Sequence, residues 1–306
     1  MVVVSELYLK ELFDSEAPIV TSKLLNLSGL SEEEAGVFKK FWDEAPTDRR
    51  LKLHDQLVAL TEDSPEADFE TIFQVTLGDD LPDLRVKAIE GLWECRERWL
   101  LNRLIAIATE DPVVRVRAVA AGALEKFVKL GVFEELRPAL LKKVETALRG
   151  IIANPLEDPT VRGRAVEAIS PSLAEDINDI IRSAYYSAEA PLKVSALYAM
   201  GQHSDEGWLP VLLTELKSAD SLLRYEAAHA CGGLGDERAV AGLVELIADP
   251  DSQVQEAAIE ALGDIGGDDA RKALQRCLSQ PDPRLQEAAR DALDELAFND
   301  DPLNFS

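Results

Sequence analysis

The sequence predicts an all-α protein, a right-handed α-solenoid of about eight antiparallel helix pairs. Three observations predict it. A block of about 31 residues recurs along most of the chain, and self-similarity at such a period marks stacked repeats. Alanine holds one fixed place in every copy. Aromatic residues make up only 6% of a chain that is 46% hydrophobic. That is a thin supply for one large globular core, but it suits closely packed helices.

The repeat is anchored by Leu84, Val114, Val161, Leu192, Leu223, Val254 and Leu285, at steps of 30, 47, 31, 31, 31 and 31 residues. Four positions after each anchor stands Ala88, Ala118, Ala165, Ala196, Ala227, Ala258 or Ala289. Seven after it the residue is small throughout: Gly91, Ala121, Ala168, Ala199, Ala230, Ala261, Ala292. The next position is mostly apolar. Offsets 0, 4, 7 and 8 share one face of a helix. A face built of alanine lets a neighbour approach closely, so this is an inner, tightly stacked helix. A second helix precedes it in the regular repeats, with apolar pairs such as Leu212 and Leu216 or Leu243 and Ile247 at 11 and 7 positions before the anchor.

Turn chemistry separates the two helices: Asp111-Pro112, Asp158-Pro159, Ala190-Pro191, Asp249-Pro250 and Pro281-Asp282-Pro283. Asp is expected to cap the second helix and Pro to occupy its first turn. Gly201, Gly232 and Gly263 are expected to close it as C-terminal caps.

An Asp-Pro turn followed by V-R-x-x-A-x-x-A-L-G resembles the HEAT-like repeats first known from phycobilisome lyases. The resemblance covers about residues 66–298. Its period is shorter than the about 40–47 residues of standard HEAT or armadillo repeats. It implies an all-α superhelix, and it says little about function, because such repeats serve as adaptors in many settings.

Residues 1–65 are expected to form an N-terminal helical cap, residues 66–298 the repeat array and residues 299–306 a loose acidic tail. In the cap, Ser31-Glu32-Glu33-Glu34 reads as a capping box, and a further helix is expected from about Pro46 to Thr61. The 47-residue step holds an insertion around 125–140. Gly131 and Pro138 bracket a loop over Val132–Arg137, followed by a long helix to near Asn154. It is either a binding loop or simple drift.

Charge and chemistry narrow the function. The chain carries 57 acidic and 32 basic residues, net −25. Residues 1–80 are net −11, residues 81–202 net zero and residues 203–306 net −14. Such ends repel phosphate backbones, so no nucleic-acid partner is expected. They are either a solubility device or a dock for a basic protein. Cys95, Cys231 and Cys277 form no CxxC pair, which fits reduced thiols in the cytoplasm. The start turns acidic at Glu6, too soon for a secretory leader, and no apolar run reaches the about 20 residues of a membrane span. Walker-type, dinucleotide-binding and nucleophile-elbow motifs are missing. His54, His203 and His229 are scattered and none precedes a glutamate, unlike the His-Glu pairs of HEAT-repeat iron hydroxylases. No cofactor, no metal and no catalysis are expected, and the oligomeric state is open.

One position after the anchors stand Arg85, Arg115, Arg162, Lys193, Arg224, Gln255 and Gln286. They form either a phosphate-binding stripe or, as the repeat position favours, a ladder reaching acids in nearby turns. Offsets 2 and 6 point away from the buried face. Val86, Val116, Val194, Tyr198, Tyr225 and His229 are therefore expected to line an open concave surface that binds a protein partner. The resemblance supplies a second reading, a bilin-lyase-like subunit acting on a chromophore or its acceptor protein, with Cys231 and His229 the nearest candidate pair.

Overall fold

In the computed structural model, which describes residues 5–64 and 67–299, every regular element is an α-helix or a short 3-10 turn. The fold class is the all-α solenoid that the repeat pattern predicts. Met1–Val4, the 65/66 junction and the tail beyond Asn299 lie outside the described residues. The chain divides into two compact units, one ending at Phe127 and the other beginning at Val128.

The first unit opens with α1 (Glu6–Phe13) and α2 (Thr21–Leu24). Three helix pairs follow: α3 (Glu32–Glu44) with α4 (Thr47–Asp63), α5 (Glu70–Thr76) with α6 (Pro82–Gly91), and α7 (Arg98–Glu110) with α8 (Val114–Ala123). Helix α9 (Glu125–Val132) contains the division. The capping box is present: Ser31 Oγ accepts from the Glu34 amide, and the Glu34 carboxylate accepts from the Ser31 amide. Phe38 and Trp42, one turn apart on α3, stack at 5.5 Å between ring centroids, and Phe13 of α1 tilts onto Phe38 at 5.4 Å. These rings form the hydrophobic end of the unit.

The second unit is a run of five pairs. Its outer helices are α10 (Pro138–Ala153), α12 (Ile177–Tyr185), α14 (Leu209–Glu215), α16 (Val240–Leu246) and α18 (Gly267–Cys277). Its inner helices are α11 (Pro159–Ile169), α13 (Ala190–His203), α15 (Ser221–Leu234), α17 (Ser252–Ile265) and α19 (Pro283–Asn299). Each inner helix packs on the next, far more extensively than the outer helices do. The alanines explain this. Ala165, Ala196, Ala227, Ala258 and Ala289 are completely buried, and with only a methyl group between backbones the helices close up.

Four local expectations are corrected. Gly201, Gly232 and Gly263 are not helix caps, because they lie inside α13, α15 and α17. They are points of contact: a Cβ on Gly201 would stand 2.7 Å from Ala230 Cα, and one on Gly263 3.0 Å from Ala292 Cβ. The left-handed residues that end α13 and α15 come later, at Ser204 (φ 53°) and Gly235 (φ 69°). Secondly, Asp158 caps its helix at the Thr160 amide, but Asp111 and Asp249 do not. Each accepts the amide two residues on and leaves the helix to start later.

Thirdly, the register of α8 is shifted by two. Val114 is 36% exposed, whereas Val116 is fully buried. Arg117, not Arg115, donates to the carbonyl six residues back, as Arg85 and Arg224 do. Arg115 lies on the surface with Asp83. The anchor of this repeat is therefore Val116. Fourthly, the insertion loop is shorter than expected, because Val132 belongs to α9.

The ladder reading holds at Arg85, Arg162, Lys193 and Arg224 and fails at Arg115. Arg85 grips Asp111 with two hydrogen bonds of 2.8 Å, and Arg224 grips Asp249 at 2.7 and 2.8 Å. Arg162 reaches Glu189 at 2.7 Å and Lys193 reaches Glu215 at 2.9 Å. Gln255 and Gln286 keep only the bond to the carbonyl six residues back. These cations are held within the stack. The Arg50–Asp79 pair, at 2.8 Å, makes the same rung between α4 and the turn before α6. The repeat geometry thus reaches back to α3 and α4, where Arg49 occupies the anchor position and Leu53 the alanine position.

Candidate functional site

The inner helices of the second unit bury offsets 4 and 7 throughout, and on α13, α15, α17 and α19 offsets 2, 6 and 10 are half-buried or exposed. The face they present changes character along the stack. On α11 it is Arg164 with Glu167. On α13 it is Val194 and Tyr198, on α15 Tyr225, Glu226 and His229. On α17 and α19 it is almost wholly carboxylate.

Tyr198, Tyr225, His229 and Val194 are all half-buried, with one side toward solvent. Tyr225 and His229, one turn apart on α15, meet edge to face at 4.5 Å between centroids. His229 Nδ1 lies 3.9 Å from the Glu260 carboxylate of α17. Burial, then Glu226 and Glu260, raise the Tyr225 hydroxyl above its ordinary pKa. Val86 and Val116 are not in this patch. They are 2% and 0% exposed in the first unit, Val116 because it is the true anchor of its repeat.

Sequence reasoning missed Glu226, at offset 3 beside Tyr225. Its carboxyl is pushed up to about 7, first by burial and second by Glu167, with Arg164 opposing. Arg164 is already paired with Glu167, which also accepts 2.6 Å from Ser195 Oγ. Two carboxylates therefore share one guanidinium. Only the packing of α11, α13 and α15 brings them together; 59 residues separate Glu167 from Glu226 in the sequence.

Two of the concavities on this unit adjoin its inner helices. A groove of about 560 Å³ between α17 and α19 is lined by Glu256, Glu260, Asp264, Glu287, Asp291 and Glu295, with Arg284 the lone base. Burial, then Glu295, raises the Asp264 carboxyl. A second cleft of about 580 Å³ sits between α10 and α12 over Val166 and Leu192. Its ionic groups are satisfied: Arg162 by Glu189 and Asp176 by Arg149 at 2.7 Å. Among the described residues no group of His, Cys, Asp and Glu is placed to hold a metal ion. No described helix is long and apolar enough to cross a membrane.

Comparison with known proteins agrees with this geometry. Residues 178–254 and 209–294 match the family described as HEAT repeats. No curated protein matches the chain. Yeast importin-β (Kap95p) is similar over 96% of this chain and 46% of its own, at 13% identity and a TM-score of 0.52. Kap95p in a structure with RanGDP is similar over the same shares, at 13% identity and TM-score 0.50. Human deoxyhypusine hydroxylase is similar over 87% of this chain and 96% of its own, at 18% identity but a TM-score of only 0.38, too loose a likeness to argue from. The chain spans less than half of importin-β. Residues 178–294 therefore match HEAT repeats, and the chain has an all-α solenoid fold. The phycobilisome-lyase subtype does not follow from these matches.

Proposed function

We propose that this protein is a non-catalytic scaffold that holds a protein partner on the inner-helix face of its second unit. The observation that carries the reading is the half-exposed row Val194, Tyr198, Tyr225 and His229 on the adjacent helices α13 and α15. Aromatic side chains that keep a wet edge on a rigid helix face are the usual anchors of protein interfaces. The fold supports the reading in kind, since the similar Kap95p binds the protein RanGDP. The net charge of −14 over residues 203–306 favours a basic partner over nucleic acid. Three unpaired cysteines, two of them buried, fit a cytoplasmic setting.

Nothing favours the lyase-like alternative. Cys231 is fully buried, and burial pushes its thiol up to about 12, so it offers no thiolate.

A Tyr198→Ala, Tyr225→Ala double variant tests the proposal. It should keep its helical circular dichroism and lose capture of the natural partner from the native cell. A folded variant with full capture would sink the idea. Loss of the fold would assign both tyrosines to the core instead.

A further inference from the structure

The inner face of α13 and α15 runs directly into that of α17 and α19, and the charges along it do not balance. Glu256, Glu260 and Asp264 on α17 face Glu287, Asp291 and Glu295 on α19. The only base among them, Arg284, is engaged with Asp282 at 2.8 Å and Glu256 at 3.7 Å. Glu226 stands beside Tyr225 on α15, where Glu167 raises its carboxyl and Arg164, already paired with Glu167, only partly offsets it. A partly desolvated carboxylate that shares its one nearby cation with a second carboxylate is under-compensated, and here it adjoins two aromatic rings whose faces attract cations.

We propose that the occupant of this face is a lysine- and arginine-rich segment of the partner, lying across α13, α15, α17 and α19. This rests on the scaffold reading above and names the chemistry of its partner. One cationic side chain enters beside Tyr225 and His229 and meets Glu226. Later ones pair with the carboxylates flanking the α17–α19 groove. The complement is specific in sign: an acidic or phosphorylated segment would meet like charge along most of its length. It also has a spacing. Packed helices lie about 8–10 Å apart and an extended chain advances about 3.3 Å per residue. The segment therefore presents one base to each helix about every third residue.

The probe is a fluorescently labelled 12-residue peptide with Lys or Arg at every third position and Gly and Ser between. Its binding to the full-length protein is followed by anisotropy. We expect Glu260→Gln with Asp291→Asn to weaken binding about tenfold and Glu226→Gln about fivefold. Asp268→Asn with Asp269→Asn, which removes the same charge from exposed positions on α18, should change it less than twofold. Circular dichroism confirms that each variant is folded. Equal weakening by the α18 pair would reduce the effect to bulk charge and overturn the proposal, as would no binding at low salt. Tighter binding of duplex DNA than of the peptide would overturn it too. The failures separate when natural-partner capture is run on the same variants. If the tyrosine pair abolishes capture and the carboxylate variants do not, the scaffold reading stands and the basic-segment inference falls. If neither affects capture, both fall.

Discussion

Glu226 and His54 are each held away from their ordinary ionisation, and in opposite senses for stability. The Glu226 carboxyl rises from 4.5 to about 7, so the folded protein binds its proton more tightly than the unfolded chain does. Its contribution is full below about pH 4.5 and is lost as pH rises through about 7. His54 is buried against Thr76, 3.1 Å away, and its imidazole is lowered to about 4, first by burial and then by Lys87. That contribution is present above the ordinary value of 6.5 and is lost as pH falls toward 4. Raw stability against pH therefore mixes the two, and comparison with a variant separates them. In urea titrations, Glu226→Gln should gain on the wild type steadily between pH 4.5 and 8. A difference that does not vary with pH would mean that the carboxylate is well solvated.

At the scale of the helix, the inner seam is set by side-chain size. Ala227→Leu and Ala258→Leu place three extra carbons where no space exists, and each should cost about 1–3 kcal/mol in thermal or urea unfolding. The glycines divide by position. Gly201→Ala should destabilise, because the backbone of Ala230 blocks the new methyl group. Gly150→Ala, within α10 and with nothing inside 4 Å of its Cβ, should stabilise by about 0.5–1 kcal/mol. A reversed order of the two would refute the seam. Much of this was legible in the sequence, since a residue fixed by the repeat, such as Ala258 or Arg224, carries its environment with it. The failures have definite causes. Val113-Val-Arg-Val-Arg117 reads equally well in two registers, and alanines at 118, 120, 121 and 123 support both. The α4 repeat was hidden by Arg49 at the anchor and Leu53 at the alanine position. Gly232 looked like a cap because spacing alone does not tell a helix end from a helix crossing.

For the whole molecule, charge is the governing quantity. Residues 203–306 hold 22 acids against 8 bases, and ladder pairs such as Arg224–Asp249 are buried while most of the excess is exposed. Added salt screens exposed like charges much more than buried pairs. Raising NaCl from about 50 to 500 mM should therefore raise the melting temperature by a few degrees. A fall would show that exposed ion pairs dominate. The sequence gives this imbalance directly, and the aromatic patch through its offsets. It does not show that Val86 is interior, nor that Glu226 lies near Glu167 and Arg164, because both depend on how successive helices pack against each other.

The contacts of Gly201, Gly232 and Gly263 with Ala230, Ala261 and Ala292 also have a mechanical meaning. A stack bends about the line where its parts cannot be pressed closer, and in the second unit that line runs through these residues. The outer helices touch one another sparingly, so they can spread or close with little resistance. Flexing then changes the length of the outer layer while the inner row keeps its pitch, as a hinged strip keeps its length along the pins. Anything laid along that row would be measured against a ruler of constant graduation, however the unit flexes around it.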